Sequence, residues 1–188
     1  MSGAAMNGRQ AMPPAVGFFG KIPARGDFLQ AGLSLGFVRA WDGWLQRVLA
    51  EAQRVLGEAW PEVWHVAPVW RFALPPGLCG SGPVLGLWMP SVDRVGRQFP
   101  LTLAAEGAGG GDDFLDAAEQ IGRDAIAFDL APDAMMARLR EATPPEPASP
   151  GPGRQGRWWS AGGPFAAAAE LVLDALPDGA GFVRMLRQ

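Results

Sequence analysis

At 188 residues, 48% hydrophobic and 19% charged, the chain has the size and composition of one compact domain with a sizeable core, and two full domains would be cramped. Sixteen Lys and Arg against nineteen Asp and Glu give a formal net charge of -3, without the basic balance that marks a nucleic-acid-binding domain. Cys79 is the single cysteine, which excludes an intramolecular disulfide and a Cys-based metal cluster and fits a reducing compartment.

Met1 to Pro14 scatters Gly, Asn, Arg and Gln and has no unbroken apolar core of the kind a secretory signal carries. A disordered N-terminal segment over 1–14 is expected ahead of one domain over 15–188. Val16 to Phe19 reads as a first strand ending at Gly20. Ser34 offers an N-cap for a helix to about Leu56, because Phe37, Trp41, Trp44, Leu45, Val48, Ala52, Val55 and Leu56 recur at helical spacing and Gly57 supplies the stop.

Phe72 to Val92 carries no charge and approaches the length of a membrane span, but its repeated Pro and Gly would break a spanning helix. A buried β-hairpin fits better, so no membrane insertion is expected and the chain reads as soluble and cytoplasmic. Val69–Leu74, Val84–Met89 and Phe99–Ala104 form three consecutive strands, and their short connections require antiparallel neighbours. Asp112 or Asp113 caps a helix through Phe128, and Asp133 to Glu141 forms a shorter one. Residues 143–157, rich in Pro and Gly, lack the apolar area to offset their ordering entropy and are expected to be a mobile loop. Trp158-Trp159 resumes structure, Pro164 to Leu176 reads as an Ala-rich helix, and Phe182 to Leu186 as a last strand. The order predicts an α+β single-domain sandwich, an antiparallel β-sheet covered by helices.

Several common chemistries fail on specific residues. A phosphate-binding loop at Gly17 to Lys21 would need Gly where Ala15 stands and a hydroxyl where Ile22 stands. Gly80-Ser81-Gly82 lacks the third glycine of a dinucleotide fingerprint, since Leu85 holds that position. The sole histidine, His65, lies between Trp64 and Val66 and reads as a partly buried structural residue; no nucleophile elbow surrounds Ser81, Ser91 or Ser160. No catalytic residues, cofactor or metal site are therefore assigned.

Two charged islands remain, Gly20-Lys21-Ile22-Pro23-Ala24-Arg25-Gly26-Asp27-Phe28 and Ser91-Val92-Asp93-Arg94-Val95-Gly96-Arg97-Gln98-Phe99-Pro100. Lys21 is the only lysine in the chain. Asp27 and Asp93 lie in turns beside Arg25, Arg94 and Arg97, and Asp42 sits between Trp41 and Trp44. Two readings of these carboxylates stand side by side: turn capping with a neighbouring Arg, or direct binding. Tryptophans 41, 44, 60, 64, 70 and 88 read mainly as core, with one or two at a surface rim beside Arg as interface anchors. Arg25-Gly26-Asp27 also spells an adhesion tripeptide, which is taken as chance.

Together with Trp41-Asp42-Gly43-Trp44-Leu45, Pro68-Val69-Trp70-Arg71-Phe72 and Trp158-Trp159, these islands resemble the TagF family, also called ImpM, of type VI secretion system accessory proteins. The resemblance covers roughly Val16 to Phe165; Ala24 departs from the Ser more usual there. It implies a bacterial, cytoplasmic, post-translational restraint on assembly or activation of the secretion machine, acting with its forkhead-associated scaffold protein. Some relatives are fused to a phosphatase domain, for which this length leaves no room. The expectation is a non-enzymatic binding module in which Lys21, Arg25, Asp27, Asp42, Arg71, Ser91, Asp93, Arg94 and Arg97 form one polar docking patch. The alternative is a sensor or enzyme that holds a small phosphorylated ligand with Asp27, Asp93 and an arginine. Oligomeric state is left open.

Overall fold

A long amphipathic helix and a set of alternating strands each present a wide apolar surface, and the chain buries both by stacking helices on the two faces of one sheet. The computed structural model describes residues 13–148 and 153–187. In chain order the elements are β1 (Ala15–Gly20), β2 (Leu29–Ala31), α1 (Leu35–Leu56), α2 (Trp60–Val66), β3 (Trp70–Leu74), β4 (Val84–Met89), β5 (Leu101–Glu106), β6 (Ala108–Gly110), α3 (Asp112–Ala127), α4 (Pro132–Glu141), β7 (Glu146–Pro147), β8 (Gly156–Ser160), β9 (Ala169–Leu173) and α5 (Gly179–Arg187). Seven strands form one sheet in the order β2-β1-β5-β4-β3-β8-β9, with every neighbouring pair antiparallel. The α+β sandwich read from the sequence is the fold.

One face of the sheet carries α1, α2 and α5 over an aromatic layer that includes Trp41, Trp44, Trp70, Phe72, Trp88, Trp158 and Phe182. The other face carries α3 and α4 over Phe18, Leu85, Leu87, Leu101 and Leu103. Ser34 caps α1 by accepting a hydrogen bond from the Phe37 amide at 3.2 Å, and Gly57 ends the helix. Burying an indole without a partner for its N–H is costly, and the aromatic layer meets this for three of its tryptophans, with hydrogen bonds from Trp41 to Thr102, Trp44 to the Pro177 carbonyl and Trp70 to the Met185 carbonyl. The buried N–H groups of Trp88 and Trp158 have no partner among the described residues.

All six of the tryptophans considered above are buried, so none serves as a surface anchor. The indole that does reach the surface is Trp159, with the Arg157 guanidinium 4.5 Å over its ring. His65 is also corrected: it is exposed on α2, its Nδ1 bonded to the Pro61 carbonyl.

The C-terminal assignments exchange places. The segment expected to be an Ala-rich helix contains β9, because Leu171 and Leu173 alternate with Glu170 and Val172 and extend the apolar layer beside Trp158. The segment expected to be the last strand is α5: Phe182, Val183, Met185 and Leu186 fall on one helical face, and Asp178 caps it through the Gly181 amide at 2.7 Å. Within 143–157, Glu146–Pro147 pairs with β6 and Gly156 opens β8, while 149–152 lie outside the described residues. The segment expected to be disordered, 1–14, lies outside them except for Pro13 and Pro14. No described helix is long and apolar enough to cross a membrane.

Candidate functional site

Both charged islands emerge at one end of the sheet. Gly20 at the end of β1 pairs with Leu101 at the start of β5, and Met89 at the end of β4 pairs with Leu101 from the other side. The first island therefore leaves β1 next to the loop that joins β4 to β5. Gly20 is needed for this approach, since a Cβ there would collide with the Pro100 carbonyl, and its φ of 137° is one that side-chain-bearing residues rarely adopt.

Asp93 is the hub. Its side chain is 0% exposed, and its Oδ2 accepts from Lys21 Nζ at 2.9 Å and from Arg97 Nε at 2.6 Å. Its Oδ1 accepts from the amides of Val95 at 3.0 Å and Arg97 at 2.9 Å, so the same carboxylate closes its own turn. Gly96 completes that turn with φ 83° and an amide bond to the Asp93 carbonyl. Burial opposes ionisation of Asp93, but the Lys21 ammonium, the Arg97 guanidinium and the two amides outweigh it and hold the carboxyl far below the usual range.

The loops are also stitched through the backbone. The Arg94 amide donates to the Arg25 carbonyl at 3.0 Å, Arg97 Nη2 to the Gly26 carbonyl at 2.6 Å, and Ser91 Oγ to the Lys21 carbonyl at 2.8 Å. The Phe28 ring centroid lies 4.7 Å from Lys21 Nζ, a cation–π contact, and Phe28 packs edge-on to Phe99.

The clasp presents a defined outer surface. Arg25, Asp27, Arg94 and Arg97 are exposed, as is Val95 at 70%. Among the described residues, the Arg25 and Arg94 side chains form no salt bridge. The result is a rigid turn with an apolar tip and two free guanidinium groups.

Seven of the nine expected residues thus lie on the two joined loops, and six of them are bonded across by side chain or backbone: Lys21, Arg25, Ser91, Asp93, Arg94 and Arg97. The Asp27 side chain is exposed beside them with no bond among the described residues. The other two lie elsewhere. Asp42 lies on α1, where its carboxylate accepts from Gln46 one turn on at 2.7 Å. Arg71 projects from β3 toward α3, where it binds Asp116 at 2.6 Å and Glu119 at 2.9 Å. Burial opposes the charge of Arg71, but these carboxylates more than compensate and raise its pKa. Neither residue has a bond to the two loops, because side chains on a helix and on a sheet face are claimed by their own neighbours.

Supports that the sequence reading passed over come from α2. Trp64 Nε1 donates to the Ser91 carbonyl at 2.9 Å, and Trp60 Nε1 to Gln98 Oε1. The signal was present: Trp60 and Trp64 are four residues apart with Pro61 at the first turn, a spacing that puts both rings on one helical face.

The arrangement offers recognition groups. Burial pushes the Cys79 thiol up to about 12, with the Glu106 charge adding to the effect, so it presents no thiolate at neutral pH. Among the described residues no three His, Cys, Asp or Glu side chains gather as metal ligands would.

The family model for the TagF N-terminal domain, type VI secretion system-associated, matches residues 17–149, a span that contains both islands and the whole clasp. The chain belongs to the TagF family. Its fold is similar to the crystal structure of PA0076 from Pseudomonas aeruginosa PAO1, with a TM-score of 0.78 and 31% identity over 92% of this chain and 94% of that one. A comparison with curated proteins gives no match. TagF membership associates the chain with the type VI secretion system.

Proposed function

We propose that this TagF-family chain is a cytoplasmic, non-enzymatic regulator that represses assembly or activation of the type VI secretion system by binding a protein partner, with the clasped loops as its docking face. The observation that carries this reading is the division of labour within the islands. Lys21, Asp93 and Arg97 are consumed in fixing the loops to each other, and with backbone bonds from Arg94 and Val95 that fixes Arg25, Arg94 and Val95 in place without using their side chains. Pre-organised Arg groups around an apolar tip are the chemistry of an interface hot spot, since little side-chain and loop entropy remains to be lost on binding.

The family resemblance names the forkhead-associated scaffold protein of the secretion system as the partner. Two exposed cations favour an acidic surface on it. Co-purification of that protein with the wild type and with the double variant Arg25→Glu and Arg94→Glu tests the reading. The variant should fold normally and lose the partner; retention at the wild-type level would remove the clasp from the account.

A further inference from the structure

The two edges of the seven-stranded sheet are finished differently. At one edge β2 is three residues long with Gln30 at its centre, the short polar ending that discourages strand addition. At the other, β9 is five residues long, pairs without a bulge along its whole length with β8, and has no strand on its outer side among the described residues. It contains no proline and no lysine. Its one charge, Glu170, is engaged by Arg157 at 2.8 Å on the neighbouring strand.

The surface around this edge mixes aliphatic side chains with charged ones. Val172 is 54% exposed on one face, and Leu171 and Leu173 are half-buried on the other. These two leucines, with Leu176 and Pro177, line a groove of about 430 Å³ between β9 and α5, whose charged lining residues are Asp174, Asp178 and Arg184. An added strand whose alternate residues are aliphatic would fill that groove while taking up the free backbone groups of β9.

We propose that β9 is a dimerisation strand that pairs antiparallel with β9 of a second copy of this chain, about a two-fold axis at Leu171. The occupant is identified by the self-complementarity of the strand. With the axis at Leu171, the opposed pairs are Leu171 with Leu171, Ala169 with Leu173, Glu170 with Val172 and Ala168 with Asp174, and no like charges face each other. Moving the axis to Glu170 sets two Glu170 carboxylates opposite one another, and moving it to Val172 sets Glu170 opposite Asp174. The Leu171 axis also puts the copy's own Leu171 and Leu173 on the face of the groove. This is the isologous geometry of a closed two-fold dimer, which joins two sheets edge to edge and leaves both clasps free.

Analytical ultracentrifugation of the purified full chain tests this with two substitutions at one exposed site. Wild type should sediment as a dimer at about 100 μM, a concentration that reveals any dissociation constant in the micromolar range. Val172→Glu sets a carboxylate opposite the copy's Glu170 and should weaken the dimer at least tenfold, while Val172→Lys sets a cation there and should preserve it. Within one copy Val172 pairs with Arg157 on β8 and shares a strand face with Glu170, so each new charge meets one attracting and one repelling neighbour, and urea unfolding of both variants should stay close to wild type. Loss of the dimer in Val172→Glu is therefore separated from loss of folding. A monomeric wild type, an undiminished Val172→Glu dimer, or dissociation by both substitutions would each overturn the proposal. The clasp is untouched by these changes, so its binding reading stands or falls separately.

Discussion

Lys21, Asp93 and Arg97 on one hand, and Arg71, Asp116, Glu119 and Arg123 on the other, are built from the same kinds of group at nearly the same distances. The first set bonds at 2.6 and 2.9 Å, the second between 2.6 and 2.9 Å. Their surroundings differ. In the clasp the carboxylate is sealed and Lys21 is only 7% exposed, whereas in the second network Asp116 is 68% and Arg123 58% exposed, so water competes for the outer partners. The difference teaches that burial, more than distance, decides what an ion pair is worth: a sealed pair loses much when one member is removed, and an exposed one loses little. The clasp is nevertheless shallow, since Arg97, which covers Asp93, is itself 61% exposed.

The sharpest way to break this contrast is Asp93→Asn. It leaves the Lys21 ammonium buried without a counter-charge and weakens the cap of the Asp93–Arg97 turn, and a loss of about 3 kcal/mol is expected, at the lower end for buried pairs because the site is shallow. Urea unfolding measures it. The same residue sets an acid dependence. A carboxyl held below its unfolded-chain value, about 3.9, stabilises the fold fully above that pH, and the contribution is lost as pH falls below it. Wild type should therefore lose stability more steeply than Asp93→Asn between about pH 5 and pH 2.5. Parallel curves would show that Asp93 is no hub.

How much of this was legible depended on how local the signal was. The helix from Ser34 to Gly57 was readable because cap, stripe and stop are all in one segment, and the hairpin of β3 and β4 because its largely apolar strands are bounded by Pro and Gly. The islands were placed at strand ends, but their meeting requires β1 to lie beside β5, a strand order that no local pattern fixes. Arg71 was misplaced because its partners are 45 and 48 residues away on a helix whose orientation no local pattern fixes. β9 and α5 were exchanged for a related reason. Alanine favours helix, but Leu171 and Leu173 are needed to continue the sheet beside Trp158, and that requirement is tertiary.

A middle-sized effect separates the two networks directly. Arg71→Met keeps the aliphatic stem against the sheet and removes the bonds to Asp116 and Glu119, while Arg123 still neutralises Glu119. About 1 kcal/mol is the expected loss, since one of the two carboxylates is solvated and the other retains a partner. A loss as large as that of Asp93→Asn would abolish the distinction between sealed and open pairs.

The smallest effect on stability belongs to Arg94→Glu, and it is the most informative about function. The Arg94 backbone amide holds the Arg25 carbonyl, but its side chain forms no salt bridge among the described residues, so unfolding should shift by no more than about 0.5 kcal/mol. Within the clasp, then, Asp93→Asn should damage the fold and Arg94→Glu should leave it intact, although the residues are adjacent. If the islands exist to hold themselves together, binding of the scaffold partner should be indifferent to Arg94. If the inner charges are there to aim the outer ones, the partner should be lost from a protein whose unfolding curve has not moved.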